Sequence, residues 1–87
     1  MDLYELFKNK NVYVRTLTFH CTGHVVNGDE HSLVLEEAAW IADSGRFGEA
    51  LLSGKLNEVE PFPAGIVYVS AIVDVTEWKH DLPRETR

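Results

Sequence analysis

The chain has 87 residues, a formal net charge of −6 and a single cysteine, Cys21. A chain of this length holds one domain with a limited core, marginal alone, and with no disulfide possible within the chain a partner subunit is the expected source of extra stability. The acidic balance counts against broad affinity for phosphate backbones, which depends on Lys and Arg, and leaves room for a local site. No apolar run approaches the ~20 residues of a membrane span. Residues 1–10 carry Asp2, Glu5, Lys8 and Lys10 and lack the apolar centre of a signal peptide. A soluble, cytoplasmic, single-domain protein spanning 1–87 is expected.

Residues 2–9 read as a short helix. Leu3, Leu6 and Phe7 fall on one stripe at i, i+3, i+4 spacing, with acidic residues near the start and lysines near the end. Such a helix is too short to stand alone and should dock on a sheet. From Asn11 the pattern becomes extended. Val12 and Val14 alternate with Tyr13 and Arg15, then the apolar phase moves to Leu17, Phe19 and Cys21. A phase change of this kind requires a bulge, a bend or a tight turn near residues 15–18. Asn27-Gly28 suits a type I′ turn between His24-Val25-Val26 and Ser32-Leu33-Val34-Leu35, which predicts a β-hairpin. The return strand is expected to run to about Ala42, although its Ala38-Ala39-Trp40-Ile41 end is also compatible with helix.

Residues 43–64, punctuated by Gly45, Gly48, Gly54, Pro61 and Pro63, read as a long connection with room for one helical turn over residues 47–52. Residues 65–78 form the richest strand-forming stretch, and the polar tail 79–87 is expected to fray. The fold class expected is mainly β: a small, strongly bent, five-stranded antiparallel barrel of the SH3-like type, capped by an N-terminal helix. Such a barrel leaves two edges. The Ile66–Val75 segment is apolar on both faces over most of its length, and an edge of that character invites pairing with another chain. Head-to-tail joining of unlike edges can close into a ring, whereas a buried central strand would leave a monomer. Val67, Tyr68, Val69, Ile72 and Val73 are the candidate subunit-contact residues, with Tyr68 foremost because aromatics are enriched at interfaces.

Catalytic and metal constellations fare less well. His20 and His24 share a strand face but stand roughly 13 Å apart at ~3.3 Å per residue, too far for one ion, and Cys21 points the other way. Glu36 and Glu37, being adjacent on a strand, should face opposite sides and cannot pair as acid and base. Gly45-Arg46-Phe47-Gly48 lacks the spacing of a phosphate loop. No metal, no cofactor and no enzymatic activity are expected.

The run Thr22-Gly23-His24-Val25-Val26-Asn27-Gly28-Asp29-Glu30-His31-Ser32-Leu33-Val34-Leu35-Glu36-Glu37-Ala38 resembles the first sequence motif of the Sm/LSm (Sm-like) family. Gly23, Asp29, Leu33, Leu35 and Glu37 stand at matching places, and the N-terminal helix and the variable connection before the last two strands match the family layout. The resemblance implies a homo-oligomeric ring whose pore-facing loops bind single-stranded RNA. By the same resemblance Asp29 fixes the first loop, His31 holds the base-stacking position and Ser32 the place of an Asn that bonds the base. The Arg-Gly pair of the second motif falls on Ser70-Ala71. Imidazole can stack on a base, Ser32 can make one hydrogen bond but no bidentate amide contact, and the Arg replaced by Ser70 removes a cation. Two functions follow: an RNA-binding or RNA-scaffolding ring, or a structural or protein-interaction ring, such as a phage-type accessory protein, that keeps the assembly surface and has lost RNA binding. The expected partners are therefore other copies of the chain and single-stranded RNA, with no membrane, in the cytoplasm of a bacterial or phage-infected cell.

Overall fold

The computed structural model describes residues 2–87, except for the side chain of Val69. Elements follow in the order α1 (Leu3–Phe7), β1 (Asn11–Thr16), β2 (His20–Gly28), β3 (Ser32–Asp43), α2 (Phe47–Ser53), β4 (Glu58–Tyr68), a 3₁₀ turn (Val69–Ala71) and β5 (Ile72–Glu77). The strands form one five-stranded antiparallel sheet in the order β4-β3-β2-β1-β5, so β4 and β5 are its edges.

The helix covers its apolar stripe but is shorter than the expected 2–9, ending at Phe7. Asp2 caps it by accepting from the Glu5 N–H at 2.9 Å, and Asn9 at φ 60° ends it with a left-handed turn. The phase change after Arg15 is a tight turn over residues 17–19. Thr16 closes it: its hydroxyl donates to the Phe19 carbonyl at 2.8 Å and accepts from the Phe19 N–H at 3.0 Å. The β2–β3 hairpin forms, but not on Asn27-Gly28. Both residues remain in β2, opposite Val34 and Leu33, and the reversal is made by Asp29, Glu30 and His31. An Asp carboxylate that gathers the following main-chain N–H groups offers the chain a turn of its own.

Both faces of the sheet are covered. On the inner face Val12, Val14, Cys21, Val25, Leu33, Leu35, Ala38 and Val67 form the barrel core, closed by Leu3, Tyr4 and Phe7 of α1. On the outer face Tyr13, Ala39, Ile41, Ala50, Leu56, Val59 and Trp78 form a second core with Phe47, Leu51 and Leu82. The strand β3 serves both by bending. Leu33 and Leu35 face inward, Ala39 and Ile41 outward, and the switch occurs at Glu37, at φ 49°, where the β2–β3 register slips. Glu36 and Glu37 are both exposed at this bulge instead of facing opposite sides. Gly23 lies against the bend, where a Cβ would come within 2.9 Å of the Leu35 Cβ, so only glycine admits the close crossing.

Two further expectations need correction. The 43–64 connection holds α2 and the first half of β4, which begins at Glu58. Proline is admitted in an edge strand, where its missing N–H costs no ladder bond. The tail does not fray. Trp78 is buried, Leu82 packs on the outer core, and the Arg84 Nη1 donates to the Ala38 carbonyl at 2.8 Å. Arg87 pairs with Val59 through two main-chain bonds of 2.9 and 3.1 Å.

Trp78 touches Tyr13 at 5.8 Å between ring centroids and anchors this outer layer. Trp78→Ala is expected to destabilise the protein by about 3–5 kcal/mol and to release the tail. Urea unfolding together with limited proteolysis after residue 79 checks both effects.

Candidate functional site

The β2–β3 turn is built around Asp29. Its Oδ1 accepts from the His31 N–H at 2.7 Å and the Ser32 N–H at 3.0 Å, with the Ser32 hydroxyl at 3.4 Å. Its own N–H donates to the Ser32 carbonyl at 3.0 Å. The main-chain N–H of His31, then those groups of Ser32, hold the Asp29 carboxyl below the usual carboxylate range. The fixed turn pushes His31 out: its side chain is 80% exposed, with Nε2 at 3.4 Å from a Glu30 carboxylate oxygen that is itself exposed. Gly28 is needed at the base of the loop, because a Cβ there would lie 2.6 Å from the Ser32 carbonyl oxygen.

Pairing of Ser32 with Tyr68 across β3 and β4 brings this loop beside the 3₁₀ turn that carries Ser70. Asp29, His31, Ser32 and Ser70 thus lie at one end of the sheet, where Ser70 is exposed and the neighbouring Ala71 carbonyl accepts from the Leu17 N–H at 3.2 Å. The loop and the turn contain no Lys or Arg, and Asp29 and Glu30 flank the imidazole. A free, flat side chain with hydroxyl and main-chain groups nearby can stack on a ring and bond an edge. It supplies no local countercharge for phosphate.

The contact candidates divide. Tyr68 and Val73 are 65% and 58% exposed, on or next to the sheet edges. Val67 is turned into the barrel core, and Ile72 packs partly against it, so Val67 can offer a neighbouring chain only its main chain. The side chain of Val69 lies outside the described residues. A groove of about 550 Å³ opens beside β4, lined by Phe19, Cys21, Trp40, Phe62 and Ile66 among others. Trp40 and Phe62 stack at 4.6 Å between centroids on its wall. Trp40 stands out in the sequence as a large apolar residue, but its meeting with Phe62 depends on β4 starting at Glu58, which Pro61 and Pro63 conceal.

The histidines are occupied separately. His20 Nδ1 lies 2.8 Å from the Tyr13 hydroxyl, and His24 Nδ1 lies 2.7 Å from Asn11 Oδ1. Cys21 is buried in the barrel, where desolvation pushes its thiol up to about 12. No group of three or more His, Cys, Asp or Glu side chains fit to hold a metal ion is found among the described residues. Arg15 and Asp74 join β1 to β5 by a bidentate ion pair, with Arg15 Nε 2.9 and 3.0 Å from the two carboxylate oxygens and its guanidinium over the Phe47 ring at 4.4 Å. Hydrogen bonding to Arg15 holds the Asp74 carboxyl below the usual range.

No family model and no curated protein sequence matches the chain. Among solved structures, the crystal structure of a heptameric archaeal Sm protein superposes with a TM-score of 0.62 at 19% identity, over 84% of this chain and 91% of that one. The chain has the Sm fold. The bent sheet, the edge strands β4 and β5 and the helix α1 are the parts of that fold on which the candidate site stands.

Asp29 and Asp74 both carry a lowered folded-state pKa, so each contributes stability above the unfolded value of ~3.9 that is lost as pH falls through the folded value. Urea midpoints measured from pH 5 to 2.5 are expected to fall steadily below about pH 4. Asp74→Asn is expected to lower stability at neutral pH and to flatten that acid limb.

Proposed function

We propose that the protein is a non-enzymatic, Sm-like subunit that assembles head-to-tail into a closed homo-oligomeric ring. It works as a scaffold whose loop cluster of Asp29, His31, Ser32 and Ser70 contacts single-stranded RNA. The observation that carries the assembly reading is the sheet order. The first and last strands of the order, β4 and β5, are unlike edges of one bent sheet, and exposed Tyr68 and Val73 accompany them. Unlike edges joined in one sense close into a ring when the rotation between neighbours divides the full turn. The solved structure of the same fold is described as heptameric, which supports this reading.

The RNA reading is supported by the placing of the loop. Asp29 fixes the turn, His31 projects its ring into solvent, and the Ser32–Tyr68 pairing sets Ser70 alongside. A ring repeats that imidazole around its axis, and stacking on successive bases needs no particular sequence. A second reading, the protein-interaction ring without RNA, is favoured by one observation: the imidazole is flanked by Asp29 and Glu30, and Ser70-Ala71 brings no cation.

Light scattering at micromolar concentration is expected to give a mass several-fold above the 9.8 kDa of the chain, and a monomer refutes the ring. Fluorescence anisotropy with labelled U-rich and A-rich oligonucleotides, at low and moderate salt, tests the ligand. Binding that His31→Ala weakens roughly tenfold is expected. An assembled protein that binds neither oligonucleotide, or binds without regard to His31, leaves the protein-interaction ring.

A further inference from the structure

The outer edge of β4 is not uniform along its eleven residues, Glu58–Tyr68. At its start, Val59 already has a partner: its N–H donates to the Arg87 carbonyl at 3.1 Å, and the Arg87 N–H donates to the Val59 carbonyl at 2.9 Å. This reciprocal pair is one rung of an antiparallel ladder, made by the chain's own tail. Two residues on, where the same side of the strand is presented again, stands Pro61, and Pro63 follows. Neither has an N–H to give. The tail that supplies Arg87 is held independently of this rung. Trp78 is buried in the outer core, Leu82 packs there, the Arg84 guanidinium donates to the Ala38 carbonyl at 2.8 Å and that of Arg87 to the Leu56 carbonyl at 3.2 Å.

The remainder of the strand, residues 64–68, has none of these devices. It contains no proline, no tail residue pairs with it among the described residues, and its Ile66 and Tyr68 side chains are 59% and 65% exposed. The apolar groove of Phe19, Trp40 and Phe62 opens along this same stretch, with Ala64, Gly65, Ile66 and Val67 forming part of its wall. An edge strand of this length, fully open, would be a template for uncontrolled sheet growth.

We infer that the C-terminal segment 79–87, together with Pro61 and Pro63, is an edge guard that closes the first half of β4 and confines the β4-to-β5 joining of the ring reading to residues 64–68. This rests on the ring reading for its partner and goes beyond it in stating which part of the edge is used and what bars the rest. The second copy is the fitting occupant on three grounds. Its β5 is the other open edge of the same sheet, its exposed Val73 matches the apolar groove, and joining β4 to β5 leaves the guarded half of β4 undisturbed.

Two measurements on the full chain test it. Cysteine pairs placed on exposed sites report where the neighbour sits, while buried Cys21 is the only native cysteine. Ile66→Cys with Val73→Cys is expected to give a ladder of covalent oligomers on mild oxidation, and Glu60→Cys with Val73→Cys is expected to stay monomeric. In an assembled protein, a Glu60 ladder as strong as the Ile66 ladder, or no Ile66 ladder, overturns the confinement. Ile66→Cys alone giving disulfide dimers in high yield overturns the choice of β5 by showing β4 against β4. The guard itself is read by amide hydrogen exchange in dilute, unassembled protein. The Val59 amide is expected to exchange slowly and the outward amides of residues 64–68 quickly. Val59 exchanging as fast as those amides overturns the guard. A protein that is monomeric by light scattering yet protects Val59 keeps the guard and refutes the ring, so the two failures are distinct.

Discussion

This five-stranded sheet covers both of its faces because its longest strand changes face along its length. The strand β3 does this at Glu37, and everything packed around it follows from that bend. Before it, Leu33 and Leu35 fill the barrel; after it, Ala39 and Ile41 meet α2 and the tail. The bend needs a positive φ at Glu37 and a missing side chain at Gly23, two local concessions that the surrounding contacts offset. Without it the chain would have one core of about half the size, too little for a domain this small.

The outer layer then explains residues that a single barrel would leave idle. Tyr13 has no exposed surface and sits among Phe47, Trp78 and His20, with its hydroxyl bonded to the His20 imidazole. Burial raises its pKa, so the phenol stays neutral and keeps its proton available for that bond. Arg15 extends the layer by lying over Phe47 while it grips Asp74. The pair is partly solvated, so it serves more to align β1 with β5 than to add stability.

Much of the fold was legible in the residues. The amphipathic start, the phase change after Arg15 and the alternation around Leu33-Val34-Leu35 each mapped onto α1, the 17–19 turn and β3. The hairpin was legible but its turn was not, because the Asp29 side chain outcompetes the Asn27-Gly28 backbone preference. Pro61 and Pro63 read as loop punctuation, since a sequence does not announce that a strand lies at an edge where a missing donor is harmless. The polar tail hid an apolar anchor, Leu82, and an Arg84 whose acceptor is a main-chain carbonyl from β3. At the loop cluster, the residues named by resemblance did come to one end of the sheet, through a pairing of Ser32 with Tyr68 that spans two strands and that no local pattern encodes.

The sheet order also sets a sequence of events during synthesis. The last strand, β5, pairs with the first, β1, and the Arg15–Asp74 contact joins positions 59 residues apart. Contacts of such separation form late, because a long loop must close before they repay its entropy. Only when residues 72–77 have left the ribosome does β1 gain its neighbour, and the strand that covers it is the same one whose far side becomes the molecule's second edge. Completion of the domain and the appearance of its second edge are thereby a single event.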